Sequence, residues 1–166
     1  MDASDVVELL NFLEQSRLEV YVDGGWAVDA LLGEQTRSHD DLDVAIPHGQ
    51  VPLLRRLMET RGFHEQRKAD SWECNFVLID DGDRRLDVHS YTLDAAGKNV
   101  SGVPYAAEHL TGTGVIVGRQ VRCINPAWLV RFHTGYEIDE KDHRDVRLLC
   151  ERFRLPLPDE YSRFSR

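Results

Sequence analysis

The chain has 166 residues, with 20 lysines and arginines against 29 aspartates and glutamates, for a formal charge of −9. That length suits one domain that buries roughly 70% of its unfolded surface and folds without disulfide or structural metal, and a 42% hydrophobic content excludes a disordered chain. The acidic excess argues against bulk attraction to nucleic acid or anionic membrane, so neither is expected as a partner. The opening MDASDVVELL has no basic n-region and no small-residue cleavage site, so no secretory signal is expected. Val6, Leu9, Leu10 and Leu13 then recur at helical spacing and predict a helix over 5–16, with Ser4 or Asp5 as its cap. Leu18 to Val22 reads as a strand that ends at Asp23-Gly24-Gly25. Trp26 to Leu32 returns to the helical pattern, and Gly33 stops it. Leu42, Val44 and Ile46 alternate with Asp41, Asp43 and Ala45, which predicts a strand with one apolar and one carboxylate face, ended by Pro47. Pro52 suits the first turn of a helix running through Thr60 and closed by Gly62.

Cys74 to Ile79 and Arg84 to Thr92 read as a hairpin turning on Asp80-Asp81-Gly82-Asp83. A looser stretch follows from Asp94 to Thr113. Val115 to Val117 and Gln120 to Ile124 form a second hairpin with Gly118-Arg119 as its turn. Asn125-Pro126 reads as cap and first residue of a helix through His133. A last helix is predicted over Glu140 to Phe153, broken by Leu155-Pro156-Leu157-Pro158, with an extended tail. The fold class expected is α/β (α+β): a mixed sheet flanked by helices, with a core at 1–124 and a helical tail at 125–166 that completes the same domain. No apolar run approaches the roughly 20 residues that span a bilayer. Cys74, Cys123 and Cys150 lack any C-x-x-C pairing and read as small buried hydrophobes of a cytoplasmic protein.

The residues that point to chemistry are carboxylates on strands. Asp41 and Asp43 are two apart, so both project from one face. Asp87 lies between apolar neighbours in Arg85-Leu86-Asp87-Val88-His89. If the two strands are adjacent, three carboxylates converge, and they need neutralisation. Oxygen-only ligands suit magnesium, and two ions about 4 Å apart would clamp the attacking and leaving oxygens of a phosphoryl transfer. The alternative is a solvated strand edge, which apolar flanks and the scarcity of aspartate in strands disfavour. Gly24 and Gly25 between a strand and a helix allow close approach of a phosphate to free N–H groups, although a Gly-Gly turn is often only a turn. No G-x-G-x-x-G and no Gly-Lys-Ser/Thr is present, which excludes the Rossmann and Walker readings. Arg37 is a candidate contact for a triphosphate, and His39 for phosphate or for orienting a carboxylate; both are equally readable as surface residues.

Tyr21-Val22-Asp23-Gly24-Gly25-Trp26-Ala27-Val28-Asp29, followed by Thr36-Arg37-Ser38-His39-Asp40-Asp41-Leu42-Asp43 and later Leu86-Asp87-Val88-His89, resembles the DNA polymerase β-like nucleotidyltransferase superfamily. Within it the chain is most similar to the small lincosamide nucleotidyltransferases, and the short aminoglycoside nucleotidyltransferases share the same opening. Phe132-His133-Thr134-Gly135-Tyr136 with Asp142-His143 extend the likeness into the tail, while 92–120 matches poorly. The resemblance implies a nucleotidyltransferase fold and magnesium-dependent transfer of a nucleoside monophosphate from an NTP to a hydroxyl of a small, cationic acceptor such as an antibiotic. Asp41 and Asp43 would hold metal, and Asp87 would be third ligand or general base. His89, on the same strand face, is a second candidate base or a packed histidine. In the tail itself, Tyr136 is a candidate to stack on a base or line the acceptor pocket, and Lys141 and His143 to reach phosphate; a core-edge aromatic and a solvated lysine are the plain alternatives. Because only the tail 125–166 follows the strands, the acceptor side is under-walled in a monomer, and a homodimer is expected. A different acceptor, or a nucleotide-binding module without turnover, is the competing functional expectation.

Overall fold

The computed structural model describes residues 1–162. Helix α1 (Ala3–Gln15) starts on Asp2, whose carboxylate accepts the Asp5 amide while Asp5 reaches back to Asp2. The cap thus lies ahead of Ser4 and Asp5, because a reciprocal box needs its acid three residues further on. Val6, Leu9, Leu10 and Leu13 are buried, each worth roughly 1.5–3 kcal/mol against exposure. Strand β1 is only Tyr21–Val22. Leu18 and Val20 are buried in the core but lie outside the ladder, so the strand is shorter than the expected 18–22. Helix α2 (Gly24–Leu32) ends on a left-handed Gly33. Strand β2 (Leu42–Pro47) leads through a 3-10 turn into α3 (Val51–Glu59).

Six strands follow: β3 (His64–Gln66), β4 (Asn75–Ile79), β5 (Arg85–Leu93), β6 (Asn99–Gly102), β7 (Gly112–Ile116) and β8 (Arg119–Cys123). Helices α4 (Pro126–Phe132), α5 (Glu140–Phe153) and α6 (Asp159–Ser162) complete the described chain. The strands make one mixed sheet in the order β3-β4-β5-β2-β1-β8-β7, with β6 on the far part of β5. β2 runs parallel to β5, and β1 parallel to β8; the other pairs are antiparallel. Helix α2 packs on β2, β7 and β8 and meets α4 and α5.

Strands β3 and β6 were not expected, because their side chains are almost wholly exposed and carry no alternation; backbone pairing alone makes them strands. The second hairpin turns on Val117-Gly118, not Gly118-Arg119, since both central residues take positive φ (48° and 75°) as a type I′ turn requires. The chain after Pro158 is not extended: Asp159–Ser162 is a helical turn whose Tyr161 is buried. The remainder of that expected tail, 163–166, lies outside the described residues. No helix among the described residues is long and apolar enough to cross a membrane.

Candidate active site

Asp43 and Asp87 are direct partners in the parallel register of β2 and β5. Paired residues project from one face of a sheet, so two carboxylates from distant sequence stand side by side. His89 follows on the same face, and Asn75 is its partner across β4. Asp23, just past β1, joins this face: its amide donates to the Asp43 carbonyl at 2.9 Å. The glycine turn is pressed between two groups. A Cβ on Gly24, whose φ is +57°, would overlap the Asp43 carboxylate, and one on Gly25 would overlap the His39 imidazole and the Arg37 guanidinium. Only glycine lets the start of α2 come this close to Asp43.

Asp43, Asp87 and His89 each place a ligand atom within 4.8 Å of the others. Asp41 is not a member of that group. It lies one residue before β2, half-buried, and acts on Asp43 through its charge. Of the three aspartates expected to converge, Asp43 and Asp87 meet here with His89 beside them, and Asp41 stands near enough for its charge to act on Asp43. Burial, and then the Asp41 charge, push the Asp43 carboxyl up to about 7. Burial likewise raises Asp87, against the opposing pull of His89 and Lys68. His89 is the counter-charge: burial works against its protonation, but Asp23, Asp43 and Asp87 outweigh it and hold the imidazolium up to about 9. Burial would also raise Asp23, yet His89, the Tyr105 hydroxyl and the Gly24 amide keep it ionised below its ordinary range.

Asp87 Oδ1 is buried and accepts no hydrogen bond among the described residues. His89 Nε2 stands 3.5 Å from it, and Lys68 Nζ is 4.0 Å from Oδ2. Crowded carboxylates with one oxygen short of a donor fit a hard divalent cation. Beside this cluster opens a cavity of about 400 Å³. Trp72, Val103, Pro104, Tyr105 and Phe132 form its apolar wall, and Asp23, Asn75 and His89 its polar end.

The other expected site residues are placed differently. Arg37 forks onto Asp145 of α5, with Nε at 3.1 Å and Nη2 at 2.8 Å from Oδ2, so its guanidinium is held by a carboxylate beside Gly25. His39 is buried, its Nε2 is 2.5 Å from Asp29 Oδ2, and its ring leans on Trp26. It orients the carboxylate of Asp29 and packs against the glycine turn at Gly25. Tyr136 is 48% exposed and donates to Asp142 Oδ1 at 2.9 Å. Neither Tyr136 nor the exposed Lys141 lines the cavity beside His89. Sequence reasoning missed Asp23, Lys68 and Tyr105. Asp23 read as a strand end, and Tyr105 sits in a stretch with no periodic signal.

Asp145 is nearly fully buried, so the Arg37 fork is its charge compensation. Arg37→Met is expected to lower unfolding stability by about 3 kcal/mol, because it leaves a buried charge unpaired. Urea denaturation checks this, and Asp145→Asn in the Arg37→Met background should recover part of the loss.

Residues 5–149 match the model of the aminoglycoside-2''-adenylyltransferase family. A lincosamide resistance protein of Staphylococcus haemolyticus is 25% identical over 146 residues, which cover 85% of this chain and 89% of that protein. A 2''-aminoglycoside nucleotidyltransferase of Klebsiella pneumoniae is 31% identical over 126 residues, covering 74% of this chain and 69% of that protein. Among solved structures, the lincosamide antibiotic adenylyltransferase LnuA with lincomycin bound superposes with a TM-score of 0.78 at 22% identity, over 90% of this chain and 96% of the other. ANT(2'')-Ia in complex with adenylyl-2''-tobramycin gives 0.73 at 23% identity, over 91% and 88%. At these identities the superpositions establish the nucleotidyltransferase fold.

Proposed function

The chain belongs to the aminoglycoside-2''-adenylyltransferase family and is a nucleotidyltransferase, and from that premise we propose that it transfers a nucleoside monophosphate from an NTP to a hydroxyl of a small antibiotic, with release of pyrophosphate. The observation that carries this reading is the pairing of Asp43 with Asp87 against the Gly24-Gly25 turn, at the polar end of an apolar cavity. The glycines bring the N–H groups at the start of α2 toward the donor phosphates. The cavity takes the acceptor, with its reacting hydroxyl toward Asp87 and His89. Asp87, whose affinity for a proton is raised by burial, accepts the proton of that hydroxyl. His89, as an imidazolium between Asp23 and Asp87, holds that carboxylate in place. Asp43 and Asp87, with Asp41, are the residues that would hold magnesium, two ions in this reading; bound there, the metal supplies charge neutralisation for the phosphates and for the attacking and leaving oxygens. A cytoplasmic location, where NTPs are abundant, goes with this reading.

The acceptor class is a lincosamide or an aminoglycoside, the two chemistries named for the relatives. The test is a matrix of the four NTPs against both classes, read by mass spectrometry. A nucleoside monophosphate adduct on one class, with stoichiometric pyrophosphate, is expected. No adduct anywhere in the matrix would overturn the reading in favour of another hydroxylated acceptor or a module that only binds nucleotide.

The same reading extends to a homodimer. Trp72, on the cavity wall, is 51% exposed, an apolar surface that a partner chain could cover. Light scattering is expected to give twice the chain mass, and a fully active monomer would overturn the dimer.

A further inference from the structure

We propose that Tyr105 is a positioning residue: its hydroxyl, anchored on Asp23, fixes the His89 imidazole so that Nε2 faces Asp87. The effect on turnover rests on the functional reading above, whereas the effect on the His89 ring rests on geometry alone.

Tyr105 sits between β6 and the 3-10 turn at Ala107–Leu110, and its backbone is pinned. Its amide donates to the Val103 carbonyl at 2.7 Å, and its own carbonyl accepts Asn99 Nδ2 at 3.0 Å. The ring packs edge-on against Tyr91 and Phe132, at centroid distances of 5.7 and 5.8 Å. A phenol held this way cannot swing, and its hydroxyl lands on Asp23 Oδ2. Asp23 is itself fixed, since Oδ1 accepts the Gly24 amide at 2.8 Å.

The hydroxyl has one proton, and it goes to Asp23. Its oxygen can then only accept, and His89 Nδ1 lies 3.3 Å away. Asp23 Oδ2 is 3.9 Å from the same nitrogen, beyond a hydrogen bond, so Tyr105 bridges a gap that the carboxylate does not close. With Nδ1 engaged, the opposite edge of the ring presents Nε2 to Asp87 Oδ1, the buried oxygen that accepts no hydrogen bond among the described residues. Burial and the Asp23 charge raise the phenol well above its ordinary value, which keeps it a donor. One chain of contacts thus runs from the glycine turn through Asp23 and Tyr105 to His89 and Asp87.

Tyr105→Phe keeps the ring and its packing and removes only the hydroxyl. In the unliganded full chain, the His89 imidazole nitrogen resonances are expected to shift in Tyr105→Phe and to stay in place in Tyr91→Phe. With substrates, kcat should fall about tenfold while both KM values stay within about twofold. In a His89→Ala background, Tyr105→Phe should change kcat by less than about twofold, since the group it positions is gone. Unmoved His89 resonances, or losses that multiply in the double variant, would overturn the proposal. If Tyr105→Phe does not fold, the wild type decides: His89 Nδ1 must carry a hydrogen-bonded proton in its nitrogen resonances, since the phenol oxygen can only accept from it, and an unprotonated Nδ1 would overturn the proposal. A wild-type protein without turnover would defeat the functional reading, and the resonance measurement would still decide the positioning role.

Discussion

Asp43→Asn is expected to abolish turnover and at the same time to raise the melting temperature of the metal-free protein at pH 8. The loss of activity, roughly three orders of magnitude, follows from removing a charge that the proposed site needs to hold metal beside the phosphates. The gain in stability follows from the environment of the carboxyl. Burial first and the Asp41 charge second push it up to about 7 in the folded protein, far above its value in an unfolded chain. Between those two values the native state binds more protons than the unfolded state, so stability falls as pH rises. Above about 7 the folded chain carries the full cost of an ionised Asp43 next to Asp41 and Asp87. Asparagine keeps the shape and removes that cost. The difference should amount to a few degrees at pH 8, shrink as pH falls through about 7, and vanish only below about pH 4, where the carboxyl is protonated in the unfolded chain as well. Differential scanning fluorimetry in a chelator measures it. Added magnesium should raise the melting temperature of the wild type at pH 8 and leave the variant unmoved. A variant no more stable than wild type at pH 8 would show that the Asp43 charge is not a burden on the empty fold.

Asp87→Asn is expected to lower kcat by at least about 10²- to 10⁴-fold, the size of a lost general base, and to raise the KM for NTP as well, because the same carboxylate would help hold magnesium. His89→Asn should cost less, because the imidazolium orients the carboxylate and does not take the proton in this reading. Steady-state kinetics of the two variants separates the assignments, and a His89 loss equal to or larger than the Asp87 loss would exchange their roles. The direction of the Asp87 shift adds a pH signature. A carboxyl raised by burial stays protonated further up the pH scale, so kcat/KM should fall on the acid side as Asp87 and Asp43 take up protons. That acid limb should be weakened in Asp87→Asn over the range where any activity can be read.

Much of the fold is legible without coordinates where local rules suffice. The bounds Glu140–Phe153 of α5 follow from helical spacing ended by Leu155 and Pro156, and β2 follows from strict alternation before Pro47. The candidate carboxylates are legible for a related reason. An aspartate flanked by apolar strand residues conflicts with strand preference, and such conflicts mark function. What stays illegible is whatever depends on a partner far along the chain. β3 and β6 are strands only because a neighbour accepts their backbone. Arg37 reads as a free phosphate contact until Asp145, 108 residues away, appears beside it. Tyr105 carries no pattern at all, and its meaning comes from Asp23, 82 residues earlier.

The sequence by itself determined the classes of element, their caps and breaks, the D-x-D face, the glycine pair and a charge of −9 that makes bulk attraction to nucleic acid unfavourable. Period, capping chemistry and composition are local or additive properties, so they need no fold to be read. The tertiary structure alone decided that β2 lies parallel to β5 with Asp43 opposite Asp87, that His89 stands beside this pair, and that Arg37 and His39 pack against the glycine turn. It also decided which of the 29 acids are charged at a cost. Burial and neighbouring charge set that cost, and both are created only when distant strands are brought together.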